Sequence, residues 1–351
     1  MAHEGLQARL IQTALTLTLA CLGAWAFWII GFPASFLTGP ATVVSAASIL
    51  GAPTRIGPVL RDICFFVIGI GIGASVTPEV VRTAITWPLS LIVLAAGLYL
   101  GMWLCRRVLE RGFGMDPLTA LLAATPGHLS YVLGLTMDMK ADLAQVSIVQ
   151  SIRVLLLTLL VPVILTLWSG PVAALPVQPE GMALWAMAGT AVGAVLCGLA
   201  LKRFKIPAAF LLGGMMVSTI GHATELMPGN VPMELTIAAF VTMGALIGTR
   251  FRGVSMAQLR RGIWAGCVVT LLACAVAALG AIIAAHFLGL PPTMLLIAFA
   301  PGGVEVMAAM AVQIGVEPAF VAAHHVLRLL ILTVLVPVLL RNLRHAMARE
   351  V

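Results

Sequence analysis

Apolar runs of about 20 residues recur along this chain and leave few folds open to it. Of the 351 residues, 61% are hydrophobic and only 9% are charged. A soluble domain of this length needs many more charged side chains to cover its surface. A helix of about 20 apolar residues, by contrast, crosses the ~30 Å hydrocarbon core of a bilayer. We therefore predict an all-α, multi-pass membrane protein.

The first apolar run, residues 10–30, stands near the start of the chain. It is longer than the apolar part of a typical signal peptide, so we expect it to be the first membrane span. All six cysteines lie in or beside apolar runs, and no two form a CxxC pair. This pattern predicts small buried side chains, with no disulfide framework, no metal site and no cofactor.

The second half of the chain repeats the first. The sequence FPASFLTGP at 32–40 resembles IPAAFLLGG at 206–214. Likewise, DPLTALLAATPGHLS at 116–130 aligns with PPTMLLIAFAPGGVE at 291–305. Shared prolines and glycines carry more weight here than shared leucines, which are common in any membrane protein. We predict a first repeat at 1–168, a periplasmic linker at 169–181 and a second repeat at 182–351.

Each repeat contains five apolar segments that we predict to be membrane spans. The predicted spans are 10–30, 34–52, 57–76, 86–106 and 143–167 in the first repeat, and 182–201, 207–223, 234–249, 263–287 and 318–340 in the second.

Two further apolar segments, 116–139 and 291–314, are interrupted in the middle. The sequence TPG at 125–127 breaks one and APGG at 300–303 breaks the other. Proline ends a helix and glycine allows a tight reversal. Each segment is therefore either one interrupted crossing or a re-entrant hairpin of two half-helices.

The distribution of basic residues favours the hairpins. If both segments are re-entrant, 17 of the 20 lysines and arginines fall on the cytoplasmic side, as the positive-inside rule requires. The prediction is then two inverted repeats, each with five transmembrane helices and one re-entrant hairpin, in the bacterial inner membrane with both termini cytoplasmic. The net charge of +7 is thus explained by topology, and we expect no nucleic-acid partner.

The two hairpin tips are the predicted substrate site. A half-helix that starts after a break points free N–H groups and the positive end of its dipole at the tip, which favours an anion. An alternative is that the Pro-Gly turns only shape the hairpins. The tip candidates are Pro126, Gly127, His128 and Ser130 in the first repeat, and Pro301, Gly302 and Gly303 in the second.

Arg153 and Arg328 stand at equivalent places, each about ten residues inside a predicted span. An arginine at that depth is costly and needs a partner or water. Two interpretations are open: the pair binds an anionic substrate, or it holds the hairpins in place.

Four further residues are candidates for ion coupling. Glu305 follows the second tip, in the position that Ser130 occupies in the first repeat. His324 and His325 precede Arg328 by about one helical turn, and Gln150 lies at a similar depth in the first repeat. Glu305 could form a structural ion pair with Arg328, carry a coupling proton or ligate a coupling cation, and one histidine could face the site and titrate near neutral pH. Neighbouring histidines point about 100° apart on a helix and cannot chelate one metal together.

The motifs PASFLTGP, TPGHLS, APGGVEVMAAMA and VEPAFVAAHHVLRLL resemble the AbrB-type duplicated membrane proteins of bacteria. The resemblance covers nearly the whole chain, although His128 and Ser130 depart from the glycine and glutamate of the second tip. It implies kinship with cation/proton antiporters and bile-acid-type symporters, which use inverted repeats and a moving core domain. Proteins of this kind also carry the labels ammonia monooxygenase and regulation of gene expression.

Our leading hypothesis is a secondary active transporter for a small anionic organic solute, coupled to a proton or sodium gradient and working by alternating access. The chain shows no nucleotide-binding, zinc or hydrolase motif, so we predict no enzyme and no catalytic residues. The alternatives are a monooxygenase-like metalloenzyme and a membrane protein that affects gene expression without transport. The expected partners are the solute, the lipid bilayer and a second copy of the chain in a homodimer.

Overall fold

The computed structural model describes residues 2–74, 87–127, 129–169, 181–204, 206, 208–224, 226–227 and 229–347. Across these ranges the secondary structure is helical, apart from one isolated β-bridge between Gly181 and Asn230. The all-α class is therefore confirmed. The first seven helices are α1 (Ala2–Ile29), α2 (Ser35–Ile49), α3 (Pro58–Ala74), α4 (Trp87–Phe113), α5 (Pro117–Ala124), α6 (Leu129–Asp138) and α7 (Leu143–Ser169). The next seven are α8 (Leu184–Arg203), α9 (Ala209–Ala223), α10 (Met233–Gly248), α11 (Met256–Leu288), α12 (Pro292–Phe299), α13 (Val304–Ile314) and α14 (Pro318–Met347).

Each predicted span corresponds to one helix, and each helix of α1–α7 has its counterpart seven helices later. Helix α1 begins eight residues before the predicted 10, and α11 begins seven residues before the predicted 263. Ser255 and Gln258 form a capping box there, because each side chain bonds the other residue's backbone N–H. The helix therefore starts where its free N–H groups find partners.

Within the described ranges, seven helices are long and apolar enough to cross a membrane: α1, α4, α7, α8, α10 with the turn that follows it, α11 and α14. The helices α2, α3 and α9 contain 15, 17 and 15 residues. At 1.5 Å per residue they are about 22–26 Å long, shorter than a full crossing. The chain is thus a multi-pass membrane protein.

The described residues divide into two compact units that do not follow the two repeats. The first comprises Met1–Ala84, Thr158–Gly253 and Ala308–Ala322, and the second Ile85–Leu157, Val254–Met307 and Ala323–Val351. Each unit therefore takes segments from both repeats. The repeat boundaries remain a prediction, and most of the predicted linker lies outside the described residues.

In the first unit the repeats exchange partners. Helix α2 packs on α10, and the equivalent α9 packs on α3. Glycines allow both contacts: a β-carbon on Gly69 of α3 would lie 2.1 Å from the Leu211 carbonyl oxygen, and one on Gly244 of α10 would lie 2.4 Å from that of Leu37. The two GxxxG segments, Gly69/Gly73 and Gly244/Gly248, thus bring helix backbones into direct contact.

In the second unit α4 packs on α11, while the short helices α5 and α12 pack on α4 and α11 respectively. A core cluster that includes Leu109, Leu122, Val146 and Val269 joins α4, α5, α7 and α11. Both interrupted segments therefore rest on the same helix pair.

Candidate functional site

Both predicted helix breaks are present. Helix α5 ends at Ala124 and α6 begins at Leu129, whereas α12 ends at Phe299 and α13 begins at Val304. Thr125 and Ala300, each just before a proline, have extended backbone with ψ of 120° and 135°. Proline disfavours the helical conformation of the residue that precedes it, which explains both breaks.

The two breaks lie side by side within the second unit. Gly127 has a left-handed backbone with φ of +78°. A β-carbon built on it would lie 3.8 Å from the carbonyl oxygen of Gly302 and 3.7 Å from Nη2 of Arg328. The backbones of the two breaks are therefore close to each other, while the re-entrant course of the two segments stays a prediction.

Arg153 is almost completely buried and binds the carboxyl end of α5. Its Nη2 donates to the carbonyl oxygens of Ala123 at 2.9 Å and Thr125 at 3.2 Å, and its Nη1 donates to that of Ala124 at 3.2 Å. These carbonyls lose their helical partners because α5 ends here. A cation at this place also offsets the negative end of the helix dipole.

Arg328 does the same for α12. Its Nη1 donates to the carbonyl oxygen of Ala300 at 2.6 Å, and its Nη2 donates to that of Gly302. Arg328 is fully buried. Direct contacts therefore support the interpretation that the two arginines hold the interrupted segments in place. Substrate binding by the arginines stays a proposal.

Gln150 and His325 form a second equivalent pair, 175 residues apart. Gln150 Nε2 donates to the carbonyl oxygen of Leu122 at 3.2 Å, and His325 Nε2 lies 3.0 Å from that of Ile297. The two acceptors are themselves equivalent positions in α5 and α12. Each break is thus held by one residue of this pair and by an arginine one helical turn later.

His324 faces a different neighbour. Its Nε2 lies 2.7 Å from the Ser90 hydroxyl of α4, and its ring lies between Trp87 and Phe299. Ser90 Oγ also donates to the Trp87 carbonyl at 2.7 Å, so it accepts from His324. His324 therefore fastens α14 to α4. Sequence reasoning missed Ser90, because no local pattern pairs residues 234 positions apart.

A small cavity lies where the breaks meet the helix pair. Its volume is about 30 Å³, enough for a water molecule or two. Pro126 and Pro301 both line it, together with Ala124, Phe299 and residues of α4 and α11 such as Gly101. The residues that line it are apolar side chains, glycines and one cysteine.

Three predicted site residues lie wholly or partly outside the described residues. His128 lies outside the described residues, and the side chains of Ser130 and Glu305 also lie outside them, although their backbones belong to α6 and α13. Gly303 directly precedes α13, and its carbonyl oxygen accepts from Met307 N at 3.0 Å. In the part of the chain that the structure describes, no three His, Cys, Asp or Glu side chains gather as a metal site would require.

These features define a class: a multi-pass helical membrane protein whose two repeats each carry a helix broken at a proline and braced by a buried arginine. The family model described as "Transition state regulatory protein AbrB" matches residues 36–344, and the chain belongs to this AbrB family. It is also similar to "Uncharacterized protein YhjN" of Bacillus subtilis (strain 168), with 28% identity over 256 residues. That match covers 68% of this chain and 66% of the relative, so the chain spans about two thirds of the relative's length.

Proposed function

We propose that this protein is a secondary active transporter for a small anionic organic solute, driven by a proton or sodium gradient. One observation carries the proposal: the breaks of both repeats lie together at one cavity inside a membrane protein. Backbone that leaves a helix at membrane depth is tolerated where protein or a watery cavity surrounds it. Broken helices from two repeats that meet at one point are typical of secondary transporters.

The charge of the breaks supports an anion. Arg153 and Arg328 place two guanidinium groups on carbonyls of α5 and α12. The half-helices α6 and α13 begin at the same breaks, and the amino end of a helix carries partial positive charge. A carboxylate or sulfonate at the cavity would meet positive potential from the two guanidinium groups and from the amino ends of the two half-helices. To bind it directly, the arginines must share or exchange their present carbonyl partners.

The remaining features of the proposal concern the arrangement in the membrane. The two interrupted segments are re-entrant, the repeats are inverted, and both termini face the cytoplasm of a bacterial cell. The interrupted segments and the last span of each repeat form the moving core, and the first two spans of each repeat form the scaffold and the dimer contact. The resemblance to antiporters and symporters implies this division of labour.

The test is uptake by purified protein in proteoliposomes. Radiolabelled succinate and methanesulfonate serve as small anions that cross bilayers poorly, and the driving force is an imposed pH or Na⁺ gradient. We expect gradient-driven uptake above that of protein-free vesicles, and a loss of at least about tenfold in Arg328→Gln, since charge-assisted contacts contribute roughly 1.5–3 kcal/mol. Folded protein that accumulates no member of a wider panel of carboxylates and sulfonates under either gradient would refute the proposal.

A further inference from the structure

The braces of the two breaks are equivalent in position but differ in one chemical respect. In the first repeat the donor to the helix end is Gln150, an amide that does not titrate. In the second repeat it is His325, whose ring can take a second proton. Only the second break therefore has a brace that a proton can alter.

The hydrogen bonds of His325 fix its protonation state in this structure. Arg328 Nη2 lies 2.6 Å from His325 Nδ1, and an arginine can only donate. Nδ1 must therefore accept, and the ring hydrogen is on Nε2, which donates to the Ile297 carbonyl oxygen. Burial disfavours a charged ring, and the bond from Arg328 further keeps Nδ1 from taking a proton.

A proton on Nδ1 and the bond from Arg328 exclude each other. A protonated Nδ1 would point its N–H at the N–H of Arg328 Nη2, so neither group could accept. It would also bring two positive charges within about 3 Å of each other, where both side chains are fully buried. The charged or titratable groups described around the ring are Arg328 and His324, both on α14. From α12 and the break, the ring lies within hydrogen-bond reach of the backbone of Ile297 and Gly302, and the Gly302 carbonyl oxygen also accepts from Arg328 Nη2. The side chain of Glu305, on α13, lies outside the described residues.

We propose that His325 is the proton-coupling residue of the transport site, and that Arg328 controls its protonation. An anionic group that draws the Arg328 guanidinium away leaves Nδ1 open, and one proton then binds there. The anion and the proton enter together, with one positive charge added for each negative charge. The coupling ion is therefore H⁺, and the inference rests on the proposed transport function.

The first repeat supplies the matched variant. His325→Gln installs at the second break the residue that already makes the same carbonyl bond at the first. It keeps the donor to Ile297 and removes the titratable nitrogen. His324→Gln is the control, because His324 is equally buried on the same helix but bonds Ser90.

One experiment requires no transport. Nitrogen-15 NMR of histidine-labelled protein in bilayers distinguishes neutral from doubly protonated rings, and the signal lost in His325→Gln assigns His325. Between pH 8 and pH 5 we expect His325 to stay neutral in the wild type and to become doubly protonated in Arg328→Gln. Arg328→Met, an uncharged and unbranched side chain with no N–H donor, replaces that variant if it does not fold. Identical titration of His325 with and without Arg328 would overturn the inference.

The second experiment measures proton movement in proteoliposomes that contain pyranine, with methanesulfonate as the added anion. The wild type and His324→Gln should acidify the lumen by one proton per anion taken up, whereas His325→Gln should take up the anion with no acidification. Acidification that persists in His325→Gln, or that is lost in His324→Gln instead, overturns the proton-coupling role. If methanesulfonate does not enter the wild type, the anion of the uptake panel that does enter replaces it; if no anion of that panel enters, the transport proposal fails, and the NMR result still decides whether Arg328 controls the ring.

Discussion

Replacing Gly69 with alanine tests whether direct backbone contact holds α3 on α9. The new β-carbon would lie 2.1 Å from the Leu211 carbonyl oxygen, whereas ordinary contact begins at 3.4 Å. The helices must therefore separate by about 1.3 Å (3.4 − 2.1) along this direction. Overpacking of this kind costs about 1–3 kcal/mol, and the atom that it meets is backbone, which cannot rotate away.

Gly71 is the matched control, two residues along the same helix, where an added β-carbon meets nothing within 4 Å. Both substitutions gain the same helix propensity, up to about 1 kcal/mol, so that contribution cancels between them. We expect Gly69→Ala to be less stable than Gly71→Ala by about 1–3 kcal/mol. The measurement is thermal denaturation in detergent, followed by loss of the monodisperse peak in gel filtration. Equal midpoints for the two variants would refute the close backbone contact.

Two further predictions concern the ends of the hairpins. Asp142 caps α7, since Oδ1 accepts from Gln145 N at 3.0 Å and Oδ2 from Gln145 Nε2 at 2.8 Å. The backbone hydrogen bond from Gln145 lowers the pKa of Asp142 below its ordinary value. The ionised Asp142 therefore stabilises the folded protein above its unfolded-state pKa, and this stabilisation is lost as the pH falls through the folded-state pKa. Asp142→Ala should lower the free energy of unfolding by about 1 kcal/mol at pH 7 in denaturation experiments. Asp142→Asn should keep the cap but lose the dependence of stability on acid pH. An equal loss of stability in both variants would contradict the capping role. In a cysteine-free background, single cysteines at His128 and Gly303 should both react with water-soluble maleimide and be protected by a transported anion, whereas labelling of each tip as an ordinary loop on one face would contradict the re-entrant layout.

Much of this architecture is readable from local sequence. The prolines at 126 and 301 predict both breaks, because proline acts on the residue beside it. The apolar runs place ten helices, although the longer start of α11 needed the capping box at Ser255 and Gln258. Each of these signals acts within a few residues along the chain.

The braces could not be predicted in the same way. The sequence marks Arg153 and Arg328 as costly buried charges, yet their partners are main-chain carbonyls, which carry no residue-specific signal. The link from Gln150 to Leu122 joins positions 28 residues apart. The spacing of 175 residues between the two halves of the chain relates Gln150 to His325. It shows that an amide in one half and an imidazole in the other bind equivalent backbone carbonyls.

The exchange of partners between α2, α10, α3 and α9 sets the order in which the protein can assemble. Leu37 of α2 contacts Gly244 of α10, which is synthesised about 200 residues later. At ~5–20 residues per second, synthesis of that stretch takes roughly 10–40 s. During that interval the first half sits in the membrane with its packing surface uncovered. In the finished chain the second and third helices of each half pack on the third and second helices of the other half.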